Sequence, residues 1–183
     1  MILAIVGNKG GTAKTTTSIS LAAALALKGK RALLIDLDGQ ASASLSLGII
    51  RANLRPSIAD AVLAGRGLAS IIRKTDAEGL DVITGSADLA DADLQLAKIQ
   101  GRESRLQDAL APIRAGYDFI VLDAPPSLGL MAINALVAAN AFIVPTPPEF
   151  LALEGLIGLL EAVEKIHEGI GDKCRLMGIL LTK

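Results

Sequence analysis

Short, nearly unbroken apolar runs recur along the chain at 2–6 (ILAIV), 31–38 (RALLIDLD), 80–85 (LDVITG), 118–125 (DFIVLDAP), 141–146 (AFIVPT) and 176–182 (LMGILLT). Runs of this length without alternating polar positions are the pattern of strands buried on both faces. The longer stretches between them are amphipathic and predict helices over 14–28, 57–73, 86–115, 128–139 and 152–168, the third broken near Gly101. Gly29 and the EGIGDK stretch at 168–173 punctuate the ends of the first and last helices. Strand–helix alternation at this spacing predicts right-handed crossovers and an α/β fold with a mainly parallel sheet between helices. There is no internal repeat, low-complexity tract or linker, so the 183 residues read as one domain over 1–183. The sequence stops directly after an apolar strand, which leads us to expect either a fragment truncated at the C-terminus or a sheet edge covered by something else.

Composition narrows this picture. The chain is 51% hydrophobic but only 2% aromatic and has no Trp, so its core is built from Ala, Leu, Ile and Val. Formal net charge is −1, which supplies no global attraction to nucleic acid or an acidic membrane. One cysteine, Cys174, excludes an intramolecular disulfide and any metal or iron–sulfur site built on several thiolates, and it fits a reducing cytoplasm. The apolar N-terminus is too short for a signal sequence, and no run approaches the ~18 apolar residues of a spanning helix. The expectation is a soluble, cytoplasmic protein with no membrane partner.

Candidate chemistry begins where the first apolar run gives way to VGNKGGTAKTTTS at 6–18. Gly7, followed by Ala13, Lys14 and Thr15, reads as the first glycine of the phosphate-loop pattern G-x-x-x-x-G-K-[ST], with Ala13 in place of the second glycine. The stretch follows a strand and opens a helix, where free backbone N–H groups and the helix dipole attract phosphate. Lys14 then reaches the β- and γ-phosphates and the Thr15 hydroxyl ligates Mg²⁺. The plain alternative is a Gly-rich turn with an incidental lysine. Ala13 is tolerated at negative φ, whereas a left-handed conformation there costs roughly 1–2 kcal/mol.

Two further strand ends carry acids. Asp36 and Asp38, two residues apart, share one face of their strand and lie at its carboxyl end, where ligands of open α/β sheets bind. Asp123 closes four apolar residues in the Walker B manner, suited to holding Mg²⁺ water near Thr15. Strand-end carboxylates are also ordinary turn formers.

KGGTAKTTT at 9–17 resembles the deviant Walker A motif, K-G-G-x-x-K-[ST]-[ST], of the ParA/MinD superfamily of ATPases. DLDGQ at 36–40 is similar to the D-x-D-P-Q-x-N segment of the ParA branch, with Gly39 for proline; DAPPSLGLMAINAL at 123–136 resembles D-x-P-P-S-L…N-A-L; and PTPPEFLALEG at 145–155 resembles P-x-x-x-E-x-x-x-L-E-G. Four motifs in order imply a three-layer P-loop NTPase fold lacking the family's C-terminal elements. They also imply ATP and Mg²⁺ as ligands, ATP hydrolysis, an ATP-dependent homodimer, a ParB-like stimulating protein and non-specific DNA as partners, and a role in plasmid or chromosome partition at the nucleoid. Under this resemblance Lys9, Gly10, Gly11, Thr12, Ala13, Lys14, Thr15 and Thr16 cradle the nucleotide. Lys9 reaches across the dimer to the partner's phosphates, Asp38 activates the attacking water, and Thr15, Asp36 and Asp123 serve Mg²⁺. Pro125 and Pro126 stiffen the loop that senses the γ-phosphate. Glu149 is carried over as an interface residue near the nucleotide, with a plain first-turn helix carboxylate as the equal alternative.

Two rival readings stay in view. A MinD-like positioning ATPase relies on a C-terminal amphipathic helix not seen in this sequence. LLTK at 180–183 could instead open the T-K-x-D motif of a signal-recognition-type GTPase. The adenine-contacting segment is expected beyond the sixth apolar run, so base discrimination is expected to be weak. His167 reads as a helix-end cap, Cys174 as an ordinary thiol, and Arg66, Arg73, Lys74, Arg102, Arg105 and Arg114 as a solvated face.

Overall fold

Seven strands form a single sheet in the computed structural model, which describes residues 1–170 and 174–182 except for the side chains at 151 and 170. They are β1 (Ile2–Ile5), β2 (Ala32–Asp36), β3 (Arg73–Lys74), β4 (Leu80–Ile83), β5 (Phe119–Asp123), β6 (Ala141–Thr146) and β7 (Arg175–Leu181), in the order β3-β4-β2-β5-β1-β6-β7. All neighbours are parallel except β3 and β4. The helices are α1 (Lys14–Leu27), α2 (Ser42–Ser46), α3 (Ile58–Ala64), α4 (Ala92–Leu96), α5 (Arg105–Leu110), α6 (Leu130–Ala138) and α7 (Phe150–Ile170).

Alternate residues of the central strands feed two cores, which is why those strands are nearly continuous apolar runs. Ala32, Leu34, Val82 and Val121 pack under α1 and α2, where Ala22, Ala26 and Ala43 let the helices lie close to the sheet. Leu33, Ile35, Ile83, Ile120 and Leu122 face the other way, against residues of α3 to α7. The result is three layers, as the alternation predicts. Each fully buried Leu or Ile contributes roughly 1.5–3 kcal/mol. Cys174 lies in the second core as an ordinary buried thiol.

Helix prediction failed where short polar breaks intervene. The helix expected over 57–73 stops at Ala64, because Gly65 takes φ +74 as its C-cap, and the chain continues through a 3-10 turn into β3. β3 has no apolar run to reveal it; Lys74 bonds Asp81 of β4 at 3.0 Å, and the Tyr117 hydroxyl bonds the same carboxylate at 2.7 Å. The helix expected over 86–115 breaks into a 3-10 turn (Ala87–Asp91), α4, α5 and a second 3-10 turn (Arg114–Gly116), with Gly101 at φ +67. The stretch 39–56, given no helix from sequence, holds α2. α7 runs through Ile170, and residues 171–173 of the EGIGDK stretch lie outside the described residues, as does Lys183 of LLTK.

The β7 edge is apolar and open: Leu176, Met177, Ile179, Leu180 and Leu181 are all exposed, as are Phe150, Leu153 and Ile157 of α7. Among the described residues no helix is long and apolar enough to cross a membrane.

Candidate functional site

The carboxyl ends of β1, β2 and β5 meet at one edge of the sheet, with Asp123 in register with both Ile5 and Asp36. From β1 the chain turns through residues 7–13 into α1, of which Lys14 is the first residue. Lys14 is buried and its Nζ donates to the Lys9 carbonyl at 2.7 Å. Burial pulls its pKa below the ordinary lysine value, while the charges of Asp123 and Asp38 pull the other way. A buried ammonium held by its own loop carbonyl, at a helix N-terminus, is ready to exchange that carbonyl for an anion.

The loop is strained. Gly11 takes φ +76, and Ala13 takes φ +64, the costly left-handed alternative, while serving as N-cap of α1 without a side-chain cap bond. Ala41, which opens α2, is the other non-glycine residue at positive φ among those described. Both lie beside the candidate site, where such strain concentrates. Counting back from Lys14 puts the first glycine of the phosphate-loop pattern at Asn8 rather than Gly7, so the loop departs from that pattern at Asn8 and Ala13. Asn8 instead ties the loop to α7, its Nδ2 donating to the Gly155 carbonyl at 2.8 Å. A β-carbon on Gly155 would lie 2.9 Å from Asn8 Oδ1 and 3.4 Å from Lys9 Cε, so the missing side chain lets α7 clamp the loop. The Lys9 stem thus runs beside α7. Lys9, Gly10, Gly11 and Thr16 are exposed, whereas Thr12 is buried with an unpartnered hydroxyl.

Asp123 is 1% exposed; its Oδ1 accepts from Ser18 Oγ at 2.8 Å and its Oδ2 is buried without a partner. Burial pushes this carboxyl up to about 6, helped by the charges of Asp36 and Asp38 and opposed by the Ser18 and Thr15 hydroxyls. Asp36 is fully buried and also raised by desolvation, yet both oxygens are engaged: Oδ2 accepts from Ser44 N at 2.8 Å and Ser44 Oγ at 2.7 Å, and Oδ1 from Asp38 N at 3.1 Å. Ser44 Oγ in turn accepts from Gly85 N at 3.1 Å, tying α2 to the end of β4. Asp36 therefore organises the loop after β2, a use that competes with its expected place around Mg²⁺. Asp38, half-buried, does form a turn, its Oδ1 accepting from Gln40 N at 2.9 Å.

Ser18 and Ser44 escaped the sequence reading. Ser18 lies four residues after Lys14, one turn along the buried face of α1, and that spacing was its only signal. Glu149 is exposed and precedes α7, its carbonyl accepting from Ala152 N at 2.9 Å and Leu153 N at 3.1 Å; it occupies the helix-start position that both readings of it require. His167 falls in the last turn of α7.

Residues 1–176 match a family model described as an AAA domain. The chain is 41% identical over 181 residues to the chromosome partitioning protein ParA of Myxococcus xanthus, covering 99% of this chain and 64% of that one. It is 42% identical over 181 residues to the sporulation initiation inhibitor protein Soj of Bacillus subtilis, covering 99% and 72%. The chain belongs to the ParA/Soj family. It spans about two thirds of the length of these relatives. Among solved structures, one described as cobyrinic acid a,c-diamide synthase from Mycobacterium smegmatis with bound ATP analogue and magnesium superposes with a TM-score of 0.93 at 37% identity, covering 98% of this chain and 73% of that one. A plasmid partition protein from Borrelia burgdorferi superposes with a TM-score of 0.85 at 29% identity, covering 98% and 77%. The three-layer architecture is that of the P-loop NTPases.

Proposed function

We propose that this chain is a ParA-type nucleotide switch that binds and hydrolyses Mg-ATP, dimerises when ATP is bound, and acts in the partition of a plasmid or chromosome. The observation that carries this reading is the buried Lys14 ammonium at the start of α1, set between a glycine loop and the unpartnered Asp123 oxygen. Lys14 and the loop N–H groups bind the phosphates; Thr12, Thr15 and Thr16 add hydroxyls at the same helix start.

A divalent ion fits the residues present. Asp123 Oδ2 is a buried acceptor without a donor, the Thr15 hydroxyl faces the same carboxyl, and among the described residues no group of three or more His, Cys, Asp or Glu could hold a metal unaided. That pattern suits Mg²⁺, which is held by one or two carboxylates together with substrate phosphates. When bound it would neutralise charge on the β- and γ-phosphoryl oxygens. Asp38 would orient the attacking water from its half-buried position, and Lys9 would supply positive charge to a partner's nucleotide. A ParB-like stimulating protein, non-specific DNA and a cytoplasmic, nucleoid-associated setting complete the reading.

Equilibrium binding of a fluorescent ATP analogue and steady-state phosphate release, with and without DNA, test it. Lys14→Ala should lower affinity by roughly 100-fold or more, because a buried phosphate contact loses its charged partner. Asp38→Ala should keep affinity and lose most turnover, whereas Asp123→Ala should lose the Mg²⁺-dependent part of binding. Unchanged affinity in Lys14→Ala would overturn the proposal. Phosphate release that required a carboxylate acceptor would favour the synthase chemistry named for the Mycobacterium smegmatis protein instead.

A further inference from the structure

Two loops leave the sheet beside the candidate nucleotide site: residues 37–41 after β2, which carry Asp38, and residues 124–129 after β5, which follow Asp123. The segment 86–96 touches both. A β-carbon on Gly39 would lie 3.2 Å from Ala90 N and 3.5 Å from Ala90 Cα, so the first loop rests directly on the backbone of the 3-10 turn Ala87–Asp91. That turn runs straight into α4, where Asp93 lies one turn beyond Ala90.

Asp93 grips the second loop. Its Oδ1 accepts from Met131 N at 3.2 Å, capping α6, whose own N-cap residue Gly129 has no side chain with which to do so. A β-carbon on Gly129 would collide with Asp93 Oδ2. Gly129 sits at φ −79 and ψ −173, a conformation open to any residue, so a side chain there would displace the exposed Asp93 carboxylate and would not strain the backbone. The segment that carries the two contacts is anchored on both sides of them: Leu89, Ala92 and Leu96 are buried in the core, and Ser86 bonds Ser57 at 2.9 Å and Asp88 at 3.0 Å.

We propose that Asp93 is a positioning residue, and that the segment 86–96 is a strut through which the Asp38 loop and the loop after Asp123 move together. The functional part of this rests on the nucleotide reading above; the mechanical part does not. A shift of Gly39 against Ala90 displaces Asp93 from Gly129 and Met131, and release of Asp93 loosens the Asp38 loop in return, as linkage requires. The physical warrant is a continuous set of close contacts, and the coupling itself is measurable.

The experiment is amide hydrogen exchange on the nucleotide-free protein, comparing wild type with Asp93→Ala, Asp93→Asn and Gly129→Ala. A lost cap should speed exchange at Met131 by about threefold to tenfold in Asp93→Ala. The proposal requires faster exchange at Ala41 and Ser44 as well, across the strut, and restoration of both by Asp93→Asn, which keeps the acceptor oxygen. Gly129→Ala should act like Asp93→Ala, and the double variant should be no worse than either, because both break one contact. Exchange that changes only at residues 130–133, or additive effects in the double variant, would overturn the strut. In turnover assays Asp93→Ala should lower kcat about tenfold with ATP affinity within about threefold of wild type, the split expected of a group that positions others. Wild-type protein that binds no ATP would refute the nucleotide reading while leaving the exchange result to stand or fall alone.

Discussion

Ala13 shows how much a single backbone angle decides. At φ +64 its β-carbon crowds the neighbouring carbonyl, and glycine would hold the same angle without that contact. Ala13→Gly should therefore raise stability by about 0.5–1 kcal/mol, read as a higher urea midpoint at unchanged slope; a lower midpoint would show that the loop relaxes elsewhere. Asp123 carries a strain of another kind. Its pKa of about 6 in the fold lies above the ordinary aspartate value of 3.8, so the folded state binds this proton more tightly than the unfolded chain does. The stability it contributes is complete below the unfolded value and is lost as pH rises through about 6. Asp123→Asn should thus stabilise the ligand-free protein at pH 7 by on the order of 2 kcal/mol, flatten the pH dependence between about 4 and 6, and abolish Mg²⁺-dependent nucleotide binding. Wild-type protein should lose Mg²⁺-supported binding as pH falls below about 6, because the proton then competes for the same carboxylate. Destabilisation by Asp123→Asn would mean that the Ser18 hydrogen bond outweighs the desolvated charge.

Among elements, legibility followed burial. β1, β2, β5 and β6 were plain in the sequence because both of their faces are apolar; β6 spans the expected residues, and only the ends of β1, β2 and β5 were placed too far out, where Val6, Leu37 and Ala124 leave the ladder to start loops. The phosphate-loop lysine and the three acids were legible for the same reason, since each ends an apolar run or opens an amphipathic one. The region 86–116 was not, because its turns are set by tertiary partners. One is Asp93 against Gly129; another is the Asn134 side chain, which accepts from Leu106 N at 3.0 Å and donates to the Arg102 carbonyl at 2.7 Å. α2 was hidden because its anchor, the Asp36–Ser44–Gly85 network, ties it to two separate strand–loop junctions, at the ends of β2 and β4. That network has a measurable weight. Ser44→Ala removes a hydroxyl donor from a buried carboxylate and an acceptor from Gly85 N, so it should destabilise the protein by roughly 2–4 kcal/mol. Urea unfolding checks this; a change below about 0.5 kcal/mol would show that water replaces the hydroxyl. Lys14 stands apart from this network, so any loss of nucleotide affinity should be small compared with that in Lys14→Ala.

At the scale of the whole molecule two surfaces invite association, and they differ in what should switch them. The apolar side chains of β7 and of the first turns of α7 are already exposed in the ligand-free chain, so contacts made through them should not require ATP. The face around Lys9, Gly10 and Gly11 is polar, and its attraction for a second copy has to come from the bound phosphates. Gly10 sharpens the test: a β-carbon there meets nothing within 4 Å in this chain, so Gly10→Val should leave the isolated fold intact and obstruct only what approaches from outside. Lys9→Ala removes a charge whose stem lies beside Gly155, while the Asn8 clamp on α7 remains. Both variants should bind ATP within about threefold of wild type, stay monomeric in sedimentation velocity with a non-hydrolysable ATP analogue, and lose turnover, since charge supplied in trans acts only in the assembled site. Wild type should show a nucleotide-dependent dimer above any nucleotide-independent association. If Lys9→Ala still dimerised and hydrolysed ATP as wild type does, the trans role of Lys9 would fail; if wild type associated equally with and without nucleotide, the apolar β7 edge and not the phosphate loop would be the dominant contact.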